Sequence, residues 1–155
     1  MALLLAQRLA EAGRRGDRFK QPSSILLLSP WLDVSMSDPS SAKIEHLDCF
    51  LKLTFLAEAG LSFAGGSCTR DPSASPLFGS LKGLPPLSLW TSTHDLLLPD
   101  AQRLRERIRK EEPKSRLRYI EEPGLLHDWW MWGMASGAKT VQEMAQAIVE
   151  DCQGS

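Results

Sequence analysis

No run in the 155 residues approaches the ~18–20 apolar residues that cross a membrane. A membrane span is therefore not expected. The three cysteines, Cys49, Cys68 and Cys152, form no C-x-x-C pair. That odd, scattered count argues against a disulfide frame and a zinc site, and suits free or buried thiols in a reducing compartment. Charge of neither sign dominates: 18 Lys and Arg stand against 19 Asp and Glu, for a formal net charge of -1. Without a basic stripe, nucleic acid is not an expected partner. Ala2–Ala6 is apolar, but Gln7 and Arg8 end it well short of the ~7–15 residues of a signal core, and no basic segment precedes it. The expected location is the cytoplasm. Internal repeats, linkers and low-complexity tracts are also missing, and the length suits one domain.

What is there centres on residues 84–132. Leu87 to Asp95 reads as a strand that ends in Thr93-His94-Asp95, and Ser115 to Glu121 reads as another, followed by Glu122-Pro123-Gly124-Leu125-Leu126-His127. Between them, Pro99 to Lys110 reads as a helix, with Ala101, Leu104 and Ile108 as its buried stripe. A strand–helix–strand unit makes its strands parallel. Asp95 and His127 then leave the same rim of one sheet. Neighbouring strands lie about 4.8 Å apart, so a carboxylate–imidazole hydrogen bond is within reach. An acid that orients a histidine is two thirds of a hydrolase triad.

Upstream, Met1 to Ala12 reads as a Leu- and Ala-rich helix closed by Gly13, without an N-cap, like an element entered halfway. Ile25–Leu28 is a continuous apolar run, the pattern of a strand buried on both faces. Pro30 closes it. Lys43 to Ala59 suggests one or two helices, and Gly60 to Ser80 a long irregular segment of the kind that covers a site. Arg103, Arg105, Arg107 and Arg109 read as a solvated helix face. A last helix is expected from Thr140, capped with Glu143, with Val141, Met144, Ala145, Ile148 and Val149 as its buried stripe. Trp129, Trp130 and Trp132 read as packing over the site. His46, His94 and the strand-end hydroxyl of Ser29 read as bystanders. The order is α/β: three parallel strands with flanking helices and a helical insertion after the first strand.

Five motifs occur in register: Ser29-Pro30-Trp31-Leu32-Asp33, Asp71-Pro72-Ser73-Ala74-Ser75-Pro76-Leu77, Leu81-Lys82-Gly83-Leu84-Pro85-Pro86, Thr93-His94-Asp95 with Asp100, and Glu122-Pro123-Gly124-Leu125-Leu126-His127. Together they resemble the α/β-hydrolase superfamily, in particular the hormone-sensitive-lipase-like esterases of the fold-3 group. The resemblance runs over nearly the whole chain. It implies the C-terminal part of an α/β-hydrolase sheet, with Asp95 as triad acid and His127 as triad base. Residues 33–78 match the cap-like insertion, and Asp71 takes a structural position in it. The implied substrate is a small acyl ester or lactone, with no metal and no organic cofactor.

The departures carry equal weight. Ser67 follows Gly66, Ser80 follows Gly79 and Ser136 precedes Gly137, but no serine sits in the G-x-S-x-G elbow that carries the family's nucleophile. The oxyanion loop has no match either. The resemblance therefore implies a chain that begins just after the nucleophile. Three functions follow: a carboxylic-ester hydrolase whose elbow comes from elsewhere, a non-catalytic remnant acting as a binding or regulatory module, or an interaction protein that uses the exposed edge of its first strand. The edge of the strand at residues 24–29 would be uncovered, a template for self-association.

Overall fold

The computed structural model describes residues 1–132 and 135–153; the side chains at 132–140, 151 and 152 lie outside the description. The elements alternate as expected. Helix α1 (Ala2–Arg14) leads to strand β1 (Ile25–Leu28), then to α2 (Ser41–Ile44) and α3 (Leu53–Ala64). Strand β2 (Leu87–Ser92), helix α4 (Leu98–Glu111), strand β3 (Leu117–Glu122) and helix α5 (Ala135–Gln153) follow. Short 3₁₀ turns occupy Pro76–Phe78 and Trp129–Trp132.

The sheet order is β1-β2-β3, and both pairs are parallel. All six residues of β2 are buried, as befits a central strand, whereas every residue of β3 is half-buried. The charges of β3 had placed it near an edge. Alternation along the strands feeds two cores. Ile25, Leu27, Leu87 and Leu89 pack with Leu3 and Ala6 of α1 and with Ala101, Leu104 and Ile108 of α4. On the other face Trp90 packs with Trp129, Met144 and Ala147, flanked by Leu26, Leu28 and Ile120.

Several boundaries differ from the sequence reading. Helix α1 closes at Gly16, not at Gly13: Gly16 has φ +94°, and the Asp17 N–H reaches back to the Ala12 carbonyl. Helix α3 runs through Gly60 to Ala64 rather than ending before it. Glycine is required there, because a Cβ at residue 60 would stand 2.0 Å from the Val34 carbonyl oxygen. That close approach seats α3 against the chain leaving β1. Helix α5 begins at Ala135, so Thr140 lies inside the helix and is no N-cap; its side chain is outside the description. The buried face of α5 is Met144 and Ala147, while Val141, Ala145, Ile148 and Val149 are exposed. The described strands give this helix a narrow platform, so much of its apolar stripe overhangs. For the same reason Leu26 and Leu28 are only half-buried, and β1 is covered fully on one face alone. Trp129 is core beneath α5 rather than a cover over the site. Trp132 and Cys152 have side chains outside the description, and Cys49 and Cys68 are free and exposed.

The arginines of α4 also do more than face solvent. Arg103 Nη1 meets Asp33 Oδ2 at 2.8 Å, and Arg107 donates to the carbonyls of Leu77 and Gly79. Both tie the segment between β1 and β2 onto α4. Arg105 lies over the Tyr119 ring, 4.7 Å from its centroid.

Candidate active site

Asp95 follows β2 by three residues, and His127 follows β3 by five. The two loops are stitched together by short bonds. The Thr93 N–H donates to the Glu122 carbonyl (2.9 Å), and the His94 N–H to the Leu125 carbonyl (3.1 Å). Ser92 Oγ donates to the Leu126 carbonyl at 3.1 Å, and Thr93 Oγ1 accepts the Gly124 N–H at 2.7 Å. His94 thus contributes backbone, not an imidazole, to this junction.

The result is a direct contact: His127 Nδ1 and Asp95 Oδ1 are 3.1 Å apart. Asp95 is fully buried and His127 keeps 12% side-chain exposure. Asp95 Oδ1 also accepts the Leu97 N–H at 2.8 Å, which fixes the carboxylate in its turn. The other ring nitrogen, Nε2, faces Asp128 Oδ2 at 3.4 Å, and the Phe50 ring stacks on the imidazole with centroids 6.1 Å apart. Burial pulls the His127 pKa down, but the Asp95 hydrogen bond and the charges of Asp95, Asp128 and Asp48 outweigh it, so it stands above the ordinary 6.5. Asp128, half-buried, is pushed up by burial against the pull of His127.

Around the imidazole opens a cavity of about 590 Å³. Met1, Leu4 of α1, Trp31, Phe55 and Phe63 of α3, and His127 all line it. The chain's first residues, the segment between β1 and β2, and the imidazole therefore face one space. Ser29, at the end of β1 with φ +39°, also borders it; its buried Oγ has no partner among the described residues.

A second carboxylate cluster holds the turn after β1. Asp100 Oδ2, near the start of α4, accepts the N–H groups of Leu32 (2.9 Å) and Asp33 (2.8 Å). Burial pushes Asp100 up to about 7. Burial also pushes Asp33 upward, but the hydroxyls of Ser35 and Ser37 and the Arg103 guanidinium hold it below its ordinary value. In the insertion, Asp71 Oδ1 accepts the Ser73 N–H at 2.8 Å, a turn-forming bond.

A family model described as alpha/beta hydrolase fold matches residues 1–131. The chain belongs to the α/β-hydrolase fold family. Its esterase-like fold-3 motifs and its parallel sheet agree with that membership. Among curated relatives, a triacylglycerol lipase of Mycobacterium tuberculosis is 31% identical over 95% of this chain and 28% of its own length. An acetyl-hydrolase of Streptomyces hygroscopicus is 26% identical over 99% of this chain and 50% of its own. A hormone-sensitive lipase from a metagenome library superposes with a TM-score of 0.84 at 22% identity, over 97% of this chain and 51% of that one. At that identity the likeness speaks for the fold. The chain thus spans about half the length, or less, of these relatives. No helix among the described residues is long and apolar enough to cross a membrane.

The sequence placed Asp95 and His127 together and kept His46 and His94 apart from them. It passed over Asp48 and Phe50. Asp48 is fully buried within a stretch read only for helical periodicity. The one available signal was an aspartate five residues before a helix, a place where a carboxylate closes a turn.

Proposed function

We propose that this chain is the acid–base half of a carboxylic-ester hydrolase acting on a small acyl ester or lactone. The observation that carries the reading is the 3.1 Å contact between His127 Nδ1 and buried Asp95, on the wall of the 590 Å³ cavity. Asp95 sets the tautomer, leaving Nε2 to take a proton from a hydroxyl nucleophile and return it to the leaving alcohol. The relatives' names, lipase and acetyl-hydrolase, support ester chemistry.

None of the serines in these 155 residues sits in an elbow, so the nucleophile comes from outside them, on a longer product or a partner chain. Backbone donors aimed at the oxyanion, a contribution of about 3–4 kcal/mol, would arrive with it. In this reading residues 33–78 act as a cap over the cavity, and the free edge of β1 receives the incoming strand.

The second reading is a non-catalytic binding or regulatory module. One observation favours it: Asp128 Oδ2 stands 3.4 Å from Nε2, on the side where a serine hydroxyl would sit.

The test is the endogenous polypeptide, captured with an antibody to this chain, treated with a fluorophosphonate and weighed intact. The expected result is one phosphonate per complex, on a product of about twice 17.2 kDa or on a partner chain that co-purifies. Capture without any phosphonate adduct refutes catalysis and leaves the module.

A further inference from the structure

Asp48 is a buried carboxylate that the acid–imidazole contact itself does not use. It is 0% exposed, and it lies in the loop between α2 and α3. Among the described residues the partners of its carboxylate are backbone N–H groups, and Lys52 Nζ reaches only its backbone carbonyl, at 3.3 Å. Oδ1 accepts from Phe50 (2.8 Å) and Leu51 (2.9 Å), and Oδ2 accepts from Leu96 (2.9 Å). A carboxylate with three such donors is well satisfied although buried.

The identity of those donors matters. Leu96 directly follows Asp95. Its N–H is the first amide beyond the acid, and the next, from Leu97, closes on Asp95 Oδ1 itself. The other arm of Asp48 curls the chain so that Phe50 lies parallel to the imidazole, at an interplanar angle of 21°. Phe50 is 55% exposed and is not held there by burial. We propose that Asp48 is a positioning residue for the acid–imidazole pair, pinning with one carboxylate the turn that bears Asp95 and the loop that lays Phe50 on His127. This deepens the hydrolase reading and rests on it for its catalytic meaning. The insertion is then coupled to the base: displacement of residues 48–51 loosens the acid turn and uncovers the imidazole together.

The groups facing the imidazole are Asp95, Asp128 and Asp48, with the Phe50 ring on one side. D48N separates positioning from bulk support. An asparagine keeps one oxygen for Phe50 and Leu51 but turns an NH₂ group towards the Leu96 N–H, donor against donor, and it removes a charge near the base. NMR titration of His127 in this chain reads both effects. The expected result is a lower His127 pKa in D48N and loss of the ring-current displacement of its Hε1 and Hδ2 signals. An unchanged His127 titration with unchanged ring shifts, whatever happens to the melting temperature, overturns the proposal. F50A, at an exposed site, keeps the test decisive where D48N does not fold. It is expected to move the imidazole signals downfield and to raise the His127 pKa by rehydrating the ring; no change in either refutes the stacking arm. These readouts need no nucleophile, so they stand or fall separately from phosphonate labelling.

Discussion

Asp100→Asn is expected to stabilise the protein at pH 8 and to do little at pH 4. Asp100 is 4% exposed, and a single oxygen, Oδ2, accepts both the Leu32 and the Asp33 N–H. An asparagine carbonyl in the same place keeps both bonds. Burial raises the carboxyl from 3.8 to about 7. The folded chain therefore binds more protons than the unfolded chain between those two values, and stability falls as pH rises through that window. Three pKa units at 1.36 kcal/mol each correspond to about 4 kcal/mol against the ionised form. That figure already contains the attraction of Arg103, 3.9 Å away, which lowers the pKa against burial. The expected gain at pH 8 is then about 4 kcal/mol, or roughly 8–16 °C in Tm for a chain of this size. Below pH 3.8 both forms are neutral and the gain vanishes. Urea titrations and thermal melts of both proteins at pH 4 and pH 8 measure it. A loss of stability at pH 8, or an equal shift at both pH values, refutes the reasoning.

Asp95→Asn removes the hydrogen-bonded charge that holds His127 up, so its NMR-titrated pKa should fall below that of the wild type. Because that pKa is raised in the fold, His127 favours the folded state fully below pH 6.5 and loses that contribution as pH climbs through its folded value; D95N should flatten this part of the stability–pH curve. A completed hydrolase should gain activity only as the imidazole deprotonates, with the midpoint of its acid limb above 6.5 in a kcat/KM profile. Gly60→Ala sets a methyl 2.0 Å from the Val34 oxygen and should cost about 1–3 kcal/mol or more in urea unfolding.

The juxtaposition of Asp95 and His127 was legible because it follows from connectivity. Two parallel strands joined through α4 put both residues on one rim, and the motifs named their places. The stripe of α4 was legible for a similar reason, since Ala101, Leu104 and Ile108 face a sheet that is present to receive them. The stripe of α5 has the same periodicity, but burial depends on how wide a sheet lies beneath it, and periodicity does not carry that width. Asp48 was out of reach: its decisive partner, Leu96, lies 48 residues away and offers only a backbone amide, which any residue type supplies. Arg103 and Arg107 looked like solvated charges because their acceptors, Asp33 and two carbonyls near Pro76, come close only after the insertion folds back over α4.

The unequal crossovers give the sheet an order of assembly. Strands β2 and β3 are joined by a compact connection filled by α4, whereas β1 reaches β2 only after α2, α3 and the turn at Pro76. Roughly sixty residues separate that pair against roughly twenty-five for the other, a difference of about 0.8 kcal/mol in loop-closure entropy for a flexible chain. Local contacts form first when closure dominates the barrier. The β2–α4–β3 unit, which carries both the acid and the base, is thus the natural nucleus. Strand β1 docks late, bringing the insertion with it, and only then do Asp48 and Phe50 reach the rim where the acid and the base already lie side by side.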